Sequence, residues 1–206
     1  PTELISLTAF YKLIKNPISR IEVASAGGYL SYENIADKAT VAGVEVEVRK
    51  NLFVRPLSSA ANGMNKLSFG LNGSYIYTNA KMPLATVTTG SQLEGAAPWI
   101  ANFDLSHNFT KGNHSFINTL VLNYVSDKIY TIGTQGYQDI IEQGMMMLDF
   151  VSQAKLNKYV SLTLKARNLL NPSYKLSRKA NESGEKVVLS DYKKGINISL
   201  GVSCTF

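Results

Sequence analysis

The stretch that decides the fold is Lys194-Gly195-Ile196-Asn197-Ile198-Ser199-Leu200-Gly201-Val202-Ser203-Cys204-Thr205-Phe206. Every second residue from Ile196 to Phe206 is apolar, and the residues between them are small or polar. A period of two places the two sets on opposite faces of one long strand. Strands in soluble proteins usually have ~5–6 residues, whereas a strand that crosses a membrane needs ~9–11 residues with this alternation. The stretch therefore predicts a membrane-spanning strand whose apolar face contacts lipid.

The same alternation recurs along the chain and predicts about eight long strands. Their approximate bounds are Leu4–Ile14, Tyr29–Asn51, Leu67–Tyr77, Trp99–Phe109, Phe116–Tyr124, Met146–Leu156, Val160–Arg167 and Ile196–Phe206. No run approaches the ~20 apolar residues that a membrane helix needs. We therefore expect an all-β fold, an antiparallel transmembrane β-barrel.

Connections of two lengths alternate between the later strands. The predicted connections are short links at Lys111–Asn113 and Asn157–Lys158, and long loops at Asn79–Pro98, Asp127–Gly144 and Asn168–Asp191. The predicted link Asn51–Lys66 is an exception because it is longer than a tight turn. Short turns on one side and long loops on the other are typical of outer-membrane barrels, whereas β-sandwiches have shorter strands and less regular connections. The pattern favours the barrel and leaves a soluble β-sandwich binding module as an alternative.

Composition and charge limit the possible classes of function but do not identify the function. The 206 residues fit one domain, residues 1–206, and the mean hydropathy is near zero. Tyr and Phe are frequent, with eleven and eight residues, and barrels place aromatic residues at both membrane interfaces. The formal charge of +6 is spread along the chain, so nucleic acid is not an expected partner. Cys204 is the only cysteine, which excludes an intrachain disulfide.

Motifs for catalysis, metal ions and cofactors are absent from the sequence. It has no phosphate-binding Gly-rich loop, His-Glu-x-x-His, paired-Cys zinc spacing or Gly-x-Ser-x-Gly elbow. We therefore expect no enzyme activity, no cofactor and no metal ion. The candidates for lumen-facing residues are charged residues at alternate positions of predicted strands: Glu45, Glu47, Arg49, Lys165 and Arg167. Such residues face an aqueous lumen in a barrel and bulk water in a sandwich, and alternation alone fits both.

Five phrases of the sequence occur in an order that a known family also uses. They are Leu7-Thr8-Ala9-Phe10-Tyr11-Lys12 with Lys15-Asn16-Pro17-Ile18, Gly43-Val44-Glu45-Val46-Glu47, Leu93-Glu94-Gly95-Ala96-Ala97-Pro98-Trp99-Ile100-Ala101-Asn102, Lys165-Ala166-Arg167-Asn168-Leu169-Leu170-Asn171-Pro172, and Tyr192-Lys193-Lys194-Gly195 before the terminal Phe206. Together they resemble the C-terminal part of the barrel of TonB-dependent outer-membrane receptors, especially Bacteroidetes-type receptors with a carboxypeptidase-regulatory-like N-terminal module. The family's terminal strand usually has an aromatic residue where this chain has Cys204.

The resemblance implies that the chain supplies about eight C-terminal strands of a 22-stranded barrel, with the plug and the TonB-contacting segment upstream. The implied function is energised import of a bulky nutrient (siderophore, haem, cobalamin, glycan or peptide) across the bacterial outer membrane. The implied ligand-facing loops are Asn79–Ala97, Asp127–Gly144 and Asn171–Asp191, and Phe206 is the implied assembly signal. The implied partners are outer-membrane lipid, the barrel-assembly machinery, TonB and a surface lipoprotein.

A complete eight-stranded barrel with a structural or adhesive role is a further alternative, because eight strands can close by themselves. Direct pairing of the first and last strands would favour it. The chain begins at Pro1 without a signal peptide, and we interpret it as a fragment or a processed chain.

Overall fold

The computed structural model describes residues 3–23, 28–57, 63–81, 92–134, 136–180 and 184–205. Every regular element among these residues is a β-strand, which confirms the predicted all-β class. The strands are β1 (Leu4–Lys15), β2 (Ile18–Glu22), β3 (Leu30–Asn34), β4 (Lys38–Leu57), β5 (Gly63–Ala80), β6 (Trp99–Lys111), β7 (His114–Val125), β8 (Lys128–Thr131), β9 (Ile140–Glu142), β10 (Met145–Lys155), β11 (Val160–Arg167), β12 (Ser173–Lys179), β13 (Lys186–Lys193) and β14 (Asn197–Cys204). No helix in the described part of the chain is long and apolar enough to cross a membrane.

Eight of these strands form one antiparallel sheet, which we call the wall. Its order is β1-β4-β5-β6-β7-β10-β11-β14, so the predicted number of long strands is correct. Among the described residues, β1 pairs only with β4 and β14 pairs only with β11. The wall therefore has two edges and lacks the direct pairing of first and last strands that a complete eight-stranded barrel requires.

The register of the wall gives it one apolar face and one polar face. Residues that are directly opposite each other on neighbouring strands point to the same face. One row of the apolar face consists of Ile5, Val48, Leu71, Phe103, Leu122 and Leu148. The adjacent row on the opposite face consists of Ser6, Glu47, Asn72, Asn102 and Asn123. Many side chains of the apolar face are exposed, which marks it as a surface for lipid or for another protein.

The predicted link Asn51–Lys66 is wrong, because β4 continues to Leu57 and β5 begins at Gly63. The register shifts between Asn51 and Phe53, so Leu52 is the extra residue of a β-bulge. Before the bulge the even-numbered residues of β4 lie on the apolar face, and after it the odd-numbered residues do. The sequence therefore has no continuous period of two across Leu52. The true connection covers only residues 58–62, and the alternation of short and long connections has no exception there. The predicted strand Tyr29–Asn51 is also wrong in part, since β3 ends at Asn34 and β4 begins at Lys38.

All four long connections leave the wall at the same end. They are loop 1 (residues 16–37), loop 2 (81–98), loop 3 (126–144) and loop 4 (168–196). Loops 1, 3 and 4 contain short strands: β2 pairs with β3, and β8, β9, β12 and β13 form a sheet of four strands. The sequence predicted an extended segment at Ile18–Val23, which contains β2, and placed β3 within the longer strand Tyr29–Asn51. It predicted neither the sheet of four strands nor loop 1 as a fourth long connection. We call the described residues of the four loops the loop body.

Candidate functional site

Asparagine residues shape the points where loops 1 and 4 leave the wall. Asn16, Asn168 and Asn171 have positive φ angles of 48°, 58° and 45°, a conformation that asparagine adopts more readily than most residues. In loop 4 the Asn168 side-chain amide donates a hydrogen bond to the Gly195 carbonyl at 2.7 Å, and the Gly195 N–H donates to Asn171 Oδ1 at 3.0 Å. These bonds join the two ends of loop 4.

Arg20 of β2 connects loop 1 to loops 2 and 3. Its Nη2 and Nε donate to Glu94 Oε1 at 2.9 and 3.3 Å, and its backbone N–H donates to Glu94 Oε2 at 2.5 Å. Its guanidinium lies 3.9 Å from the centre of the Tyr130 ring. Burial acts to lower the pKa of Arg20, but the hydrogen bond and charge of Glu94, with Tyr130, raise it above its ordinary value. The two side chains of the pair are more than three-quarters buried, with exposures of 21% and 16%.

Loops 1 and 3 are joined by backbone hydrogen bonds and a small apolar core. The Ile132 N–H donates to the Arg20 carbonyl at 3.0 Å, and Thr134 Oγ1 donates to the Glu22 carbonyl at 2.5 Å. The core between these segments consists of Ile21, Ile35, Ile129 and Ile132, with Ile141 packed against it. The two loops therefore form one packed unit.

Loop 2 rests on a second apolar cluster, at the loop end of the wall. The cluster consists of Ala36, Ala39, Ala80 and Leu93. The Leu93 N–H donates to Thr78 Oγ1 at 3.1 Å, and the Gly95 N–H donates to the Ile129 carbonyl of loop 3 at 2.9 Å. These contacts place Glu94, which lies between Leu93 and Gly95, against Arg20.

Loops 3 and 4 are joined by strand pairing between β9 and β12. Tyr174 donates to Glu142 Oε2 at 3.3 Å, and Lys128 Nζ lies 3.1 Å from Glu142 Oε1. Burial, followed by the charge of Glu142, raises the pKa of Tyr174 to about 12. An ion pair between Arg178 of β12 and Glu22 of β2 completes the connection of loop 4 to loop 1. The four loops thus behave as one body.

A cavity of about 400 Å³ opens between loops 3 and 4. Its lining residues are Asp127, Gln138, Asp139, Ile141, Ser177, Arg178, Lys179 and Lys186. Lys179 and Lys186 are directly opposite each other in the β12–β13 hairpin. Arg178 is already paired with Glu22, so Lys179 and Lys186 supply the cationic groups of the cavity. Both of its carboxylates accept backbone hydrogen bonds, Asp127 from Gly144 and Asp139 from Gly133. The cavity can therefore hold a polar ligand that carries an anionic group.

The five lumen-facing candidates all lie on the polar face of the wall. Glu45, Glu47 and Arg49 are on β4, where Arg49 Nε donates to Glu47 Oε1 at 2.6 Å. Lys165 and Arg167 are on β11, with β5, β6, β7 and β10 between the two groups. The structure does not bring the groups together, and their position in a lumen stays a prediction. Phe206 and residues 82–91 of the predicted loop Asn79–Ala97 lie outside the described residues.

No local pattern in the sequence marks the residues that join the loops. Arg20, Glu22 and Arg178 are isolated charges in stretches without a motif, and their partners are 74 and 156 residues away. Glu94 lies within the segment Leu93–Asn102, which resembles a known family, but its contact with Arg20 is evident only in the structure. In the described residues no group of three or more His, Cys, Asp or Glu side chains could hold a metal ion.

Comparison with known proteins identifies one family. The family model described as TonB dependent receptor-like, beta-barrel matches residues 2–169 of the chain. No curated protein matches the chain, and no solved structure matches it. The match covers the wall from β1 to β11 and loops 1 to 3.

Proposed function

The chain belongs to the family of TonB-dependent receptor-like β-barrels, and from this premise we propose that it forms part of an outer-membrane transporter. The transporter imports a bulky nutrient with energy that TonB transmits from the inner-membrane proton-motive force. We assign no catalytic role to the chain. The family match is the observation that carries the proposal.

The two faces of the wall support this assignment. In such a transporter the apolar face contacts outer-membrane lipid and the polar face lines the lumen, with Glu45, Glu47, Arg49, Lys165 and Arg167 exposed to water. The two edges of the wall offer unpaired strands at which the remaining strands of a 22-stranded barrel would pair. Residues 1–206 are then the C-terminal portion of the barrel, and the plug and TonB-contacting segment lie upstream.

The loop body supports a role in ligand capture. Its four loops converge at one end of the wall, where outer-membrane barrels carry their extracellular loops. The cationic cavity between loops 3 and 4 favours a ligand with a carboxylate or phosphate group. More specifically, we propose that the protein is a Bacteroidetes-type receptor and that a surface lipoprotein binds it at the loop end of the wall.

Uptake measurements test the function. Labelled ferric siderophore, haem, cobalamin, glycan and peptide are offered to cells with and without the full-length protein. One of them should accumulate only when the protein is present, and a protonophore or deletion of TonB should abolish the accumulation. Accumulation of none of them, or entry that persists without TonB, would contradict the proposal.

The cavity is tested with the variant Lys179→Ala/Lys186→Ala. Loss of charged hydrogen-bond donors should raise the ligand concentration for half-maximal uptake by about tenfold or more. The control is Lys111→Ala, which removes an exposed lysine at the opposite end of the wall. Equal effects of the two changes would exclude the cavity as the ligand site.

Phe206 keeps its predicted role as the assembly signal. Deletion of Phe206 should lower the amount of folded barrel in the outer membrane, because the assembly machinery recognises the terminal aromatic residue of this family. The measurement is the surface-accessible protein per cell, with Thr205→Ser as the control. An unchanged surface level would contradict the role.

A further inference from the structure

The three short hairpins at the end of the wall opposite the loops carry Lys and Arg but no acidic residue. They join β4 to β5, β6 to β7 and β10 to β11, and we call residues 51–68, 106–119 and 151–165 the turn rim. Its Lys and Arg residues are Arg55, Lys66, Lys111, Lys155, Lys158 and Lys165, and these ranges contain no Asp or Glu. The six positions are spread along the sequence, and the fold brings them to one end of the wall.

The turn rim accounts for the net charge of the whole chain. The chain has 21 Lys and Arg residues and 15 Asp and Glu residues, so the 15 basic residues outside the rim balance the acidic ones. None of the six rim residues forms an ion pair with a described residue. Glu3 lies beside the rim, where it accepts a hydrogen bond from the Asn51 N–H at 3.3 Å, and it can neutralise only one of the six charges. The rim is therefore a cationic surface.

Four of the six side chains are exposed, those of Arg55, Lys111, Lys155 and Lys158. The three hairpins are consecutive in the wall, and neighbouring strands lie ~4.8 Å apart, so the hairpins follow one another at ~10 Å intervals. Lys66 and Lys165 are half-buried on the polar face and add to the positive potential. The exposed charges therefore form a row ~20 Å long across the end of the wall.

This row is better suited to a polyanion than to a folded protein. The hairpin tips Gly112-Asn113 and Asn157-Lys158 are small or polar, and Lys158 Nζ lies 4.7 Å from the centre of the adjacent Tyr159 ring. A specific protein interface has an apolar centre, which these tips do not supply. Exposed charges attract a partner weakly one at a time, but a polymer that repeats its own charges can engage several of them together.

We propose that the turn rim binds the cell-wall polymer, a glycan whose peptide side chains carry free carboxylates, through Arg55, Lys111, Lys155 and Lys158. The inference rests on the proposed function, because the short turns of an outer-membrane barrel face the periplasm, where this polymer lies. Lipid headgroups surround the apolar side of a barrel, whereas Lys155 is on the polar face and Lys158 lies between β10 and β11. The contact would hold the receptor against the cell wall and is not a step in the passage of ligand.

Co-sedimentation with isolated cell-wall sacculi tests the proposal. The full-length protein in detergent is mixed at low salt with sacculi that have been freed of protein. Wild type should sediment with the sacculi and should be released at high salt, because salt screens exposed charges. The variant Arg55→Gln/Lys111→Gln/Lys155→Gln/Lys158→Gln should need about tenfold more sacculi for half-maximal binding.

Two controls separate the rim from net charge and from the condition of the variant. Lys15→Gln/Lys38→Gln/Lys81→Gln/Lys193→Gln removes four exposed lysines from the loop end, with the same change in net charge, and should bind like wild type. Sacculi whose carboxylates have been converted to amides test the site with unchanged protein and should not retain it. Equal losses in the two variants, retention by the amidated sacculi, or failure of wild type to bind would each overturn the proposal.

Vesicles of phosphatidylglycerol distinguish the polymer from a lipid surface. Binding of wild type to these vesicles and not to the sacculi would overturn the proposal in favour of lipid. The test is also distinct from that of transport. Binding to sacculi without TonB-dependent uptake would remove only the proposed transport, and uptake without binding to sacculi would remove only this inference. Absence of the protein from isolated outer membranes would remove both.

Discussion

The wall and the loop body bury their apolar residues in different ways. Among the described residues, the largest fully buried side chains are Ile132, Thr131, Ser19 and Ser177, and all four belong to the loop body. The wall is a single layer, and Ile5 and Leu200 on its apolar face are 82% and 71% exposed. The loop body thus has a core of its own, as a water-soluble domain does. The wall has none, and its apolar face is left uncovered by the described residues.

The difference fits the proposed location, in which the loop body lies in water and the apolar face of the wall lies in a membrane. In water, burial of apolar surface stabilises the loops by ~25 cal/mol per Å². In the proposed membrane location, the wall would be held by hydrogen bonds between strands, because no water competes there for the backbone groups. A substitution in one region should therefore change the stability of that region and leave the stability of the other unchanged.

The largest expected effect is that of Ile132→Ala. Ile132 is 1% exposed in the core of the loop body, and such a truncation costs ~2–5 kcal/mol. Hydrogen exchange of the reconstituted protein should show loss of protection in loops 1 and 3, with the wall unchanged. Leu200→Ala is the control in the wall. Loss of protection throughout the chain would show that the two regions are not independent.

The next effect is that of Leu200→Arg, which places a charge on the apolar face of β14. The change should lower the free energy of unfolding in lipid vesicles by ~2–4 kcal/mol if the residue lies at mid-bilayer. Ser199→Arg is on the opposite face and should cost much less. The measurement is urea unfolding of the full-length protein in vesicles, and equal costs would contradict the assignment of faces.

A smaller effect is expected for Glu94→Gln, which leaves the Arg20 guanidinium without its charged partner. Hydrogen bonds to charged groups contribute ~1.5–3 kcal/mol, so amides of residues 18–22 and 93–97 should exchange faster. Glu47→Gln breaks the pair with Arg49 in the wall, where Arg49 is 67% exposed and the expected effect is ~0–1 kcal/mol. A greater loss of stability in Glu47→Gln than in Glu94→Gln would contradict the expectation that the ion pair of the loop body contributes more than that of the wall.

The last prediction is a pH dependence of the contact between loops 3 and 4, which appears only in strongly alkaline solution. The pKa of Tyr174 is raised from 10.0 to about 12, so the folded state binds the phenolic proton more tightly than the unfolded state. The contribution to stability is complete below pH 10 and is lost as the pH rises towards 12. Phenolate absorbance and hydrogen exchange of loop 4 should show this step in wild type. Tyr174→Phe should lack it, and a step that persists in the variant would assign it to another group.

The wall was largely predictable from the sequence, whereas the loop body was not. Alternation in β14 and in the strands before it reveals both faces, because every second residue meets the same environment. The end of β4 and the start of β5 were not predicted, because the single extra residue Leu52 reverses the alternation. In the loop body, Arg20 and Glu94 are partners over 74 residues, and no local pattern marks such a pair. The short strands β8 and β9 have only four and three residues, too few for a period to show.

The Arg20–Glu94 contact has a consequence for protein engineering. Binding residues lie disproportionately on surface loops, so one route to altered specificity is to graft a single loop. Here a graft of loop 1 alone would leave the Glu94 carboxylate without its cation, and a graft of loop 2 alone would leave Arg20 without its anion. Chimeras should therefore exchange residues 16–37 and 92–98 together, and loop 4 with them, because Glu22 of loop 1 is paired with Arg178 of loop 4.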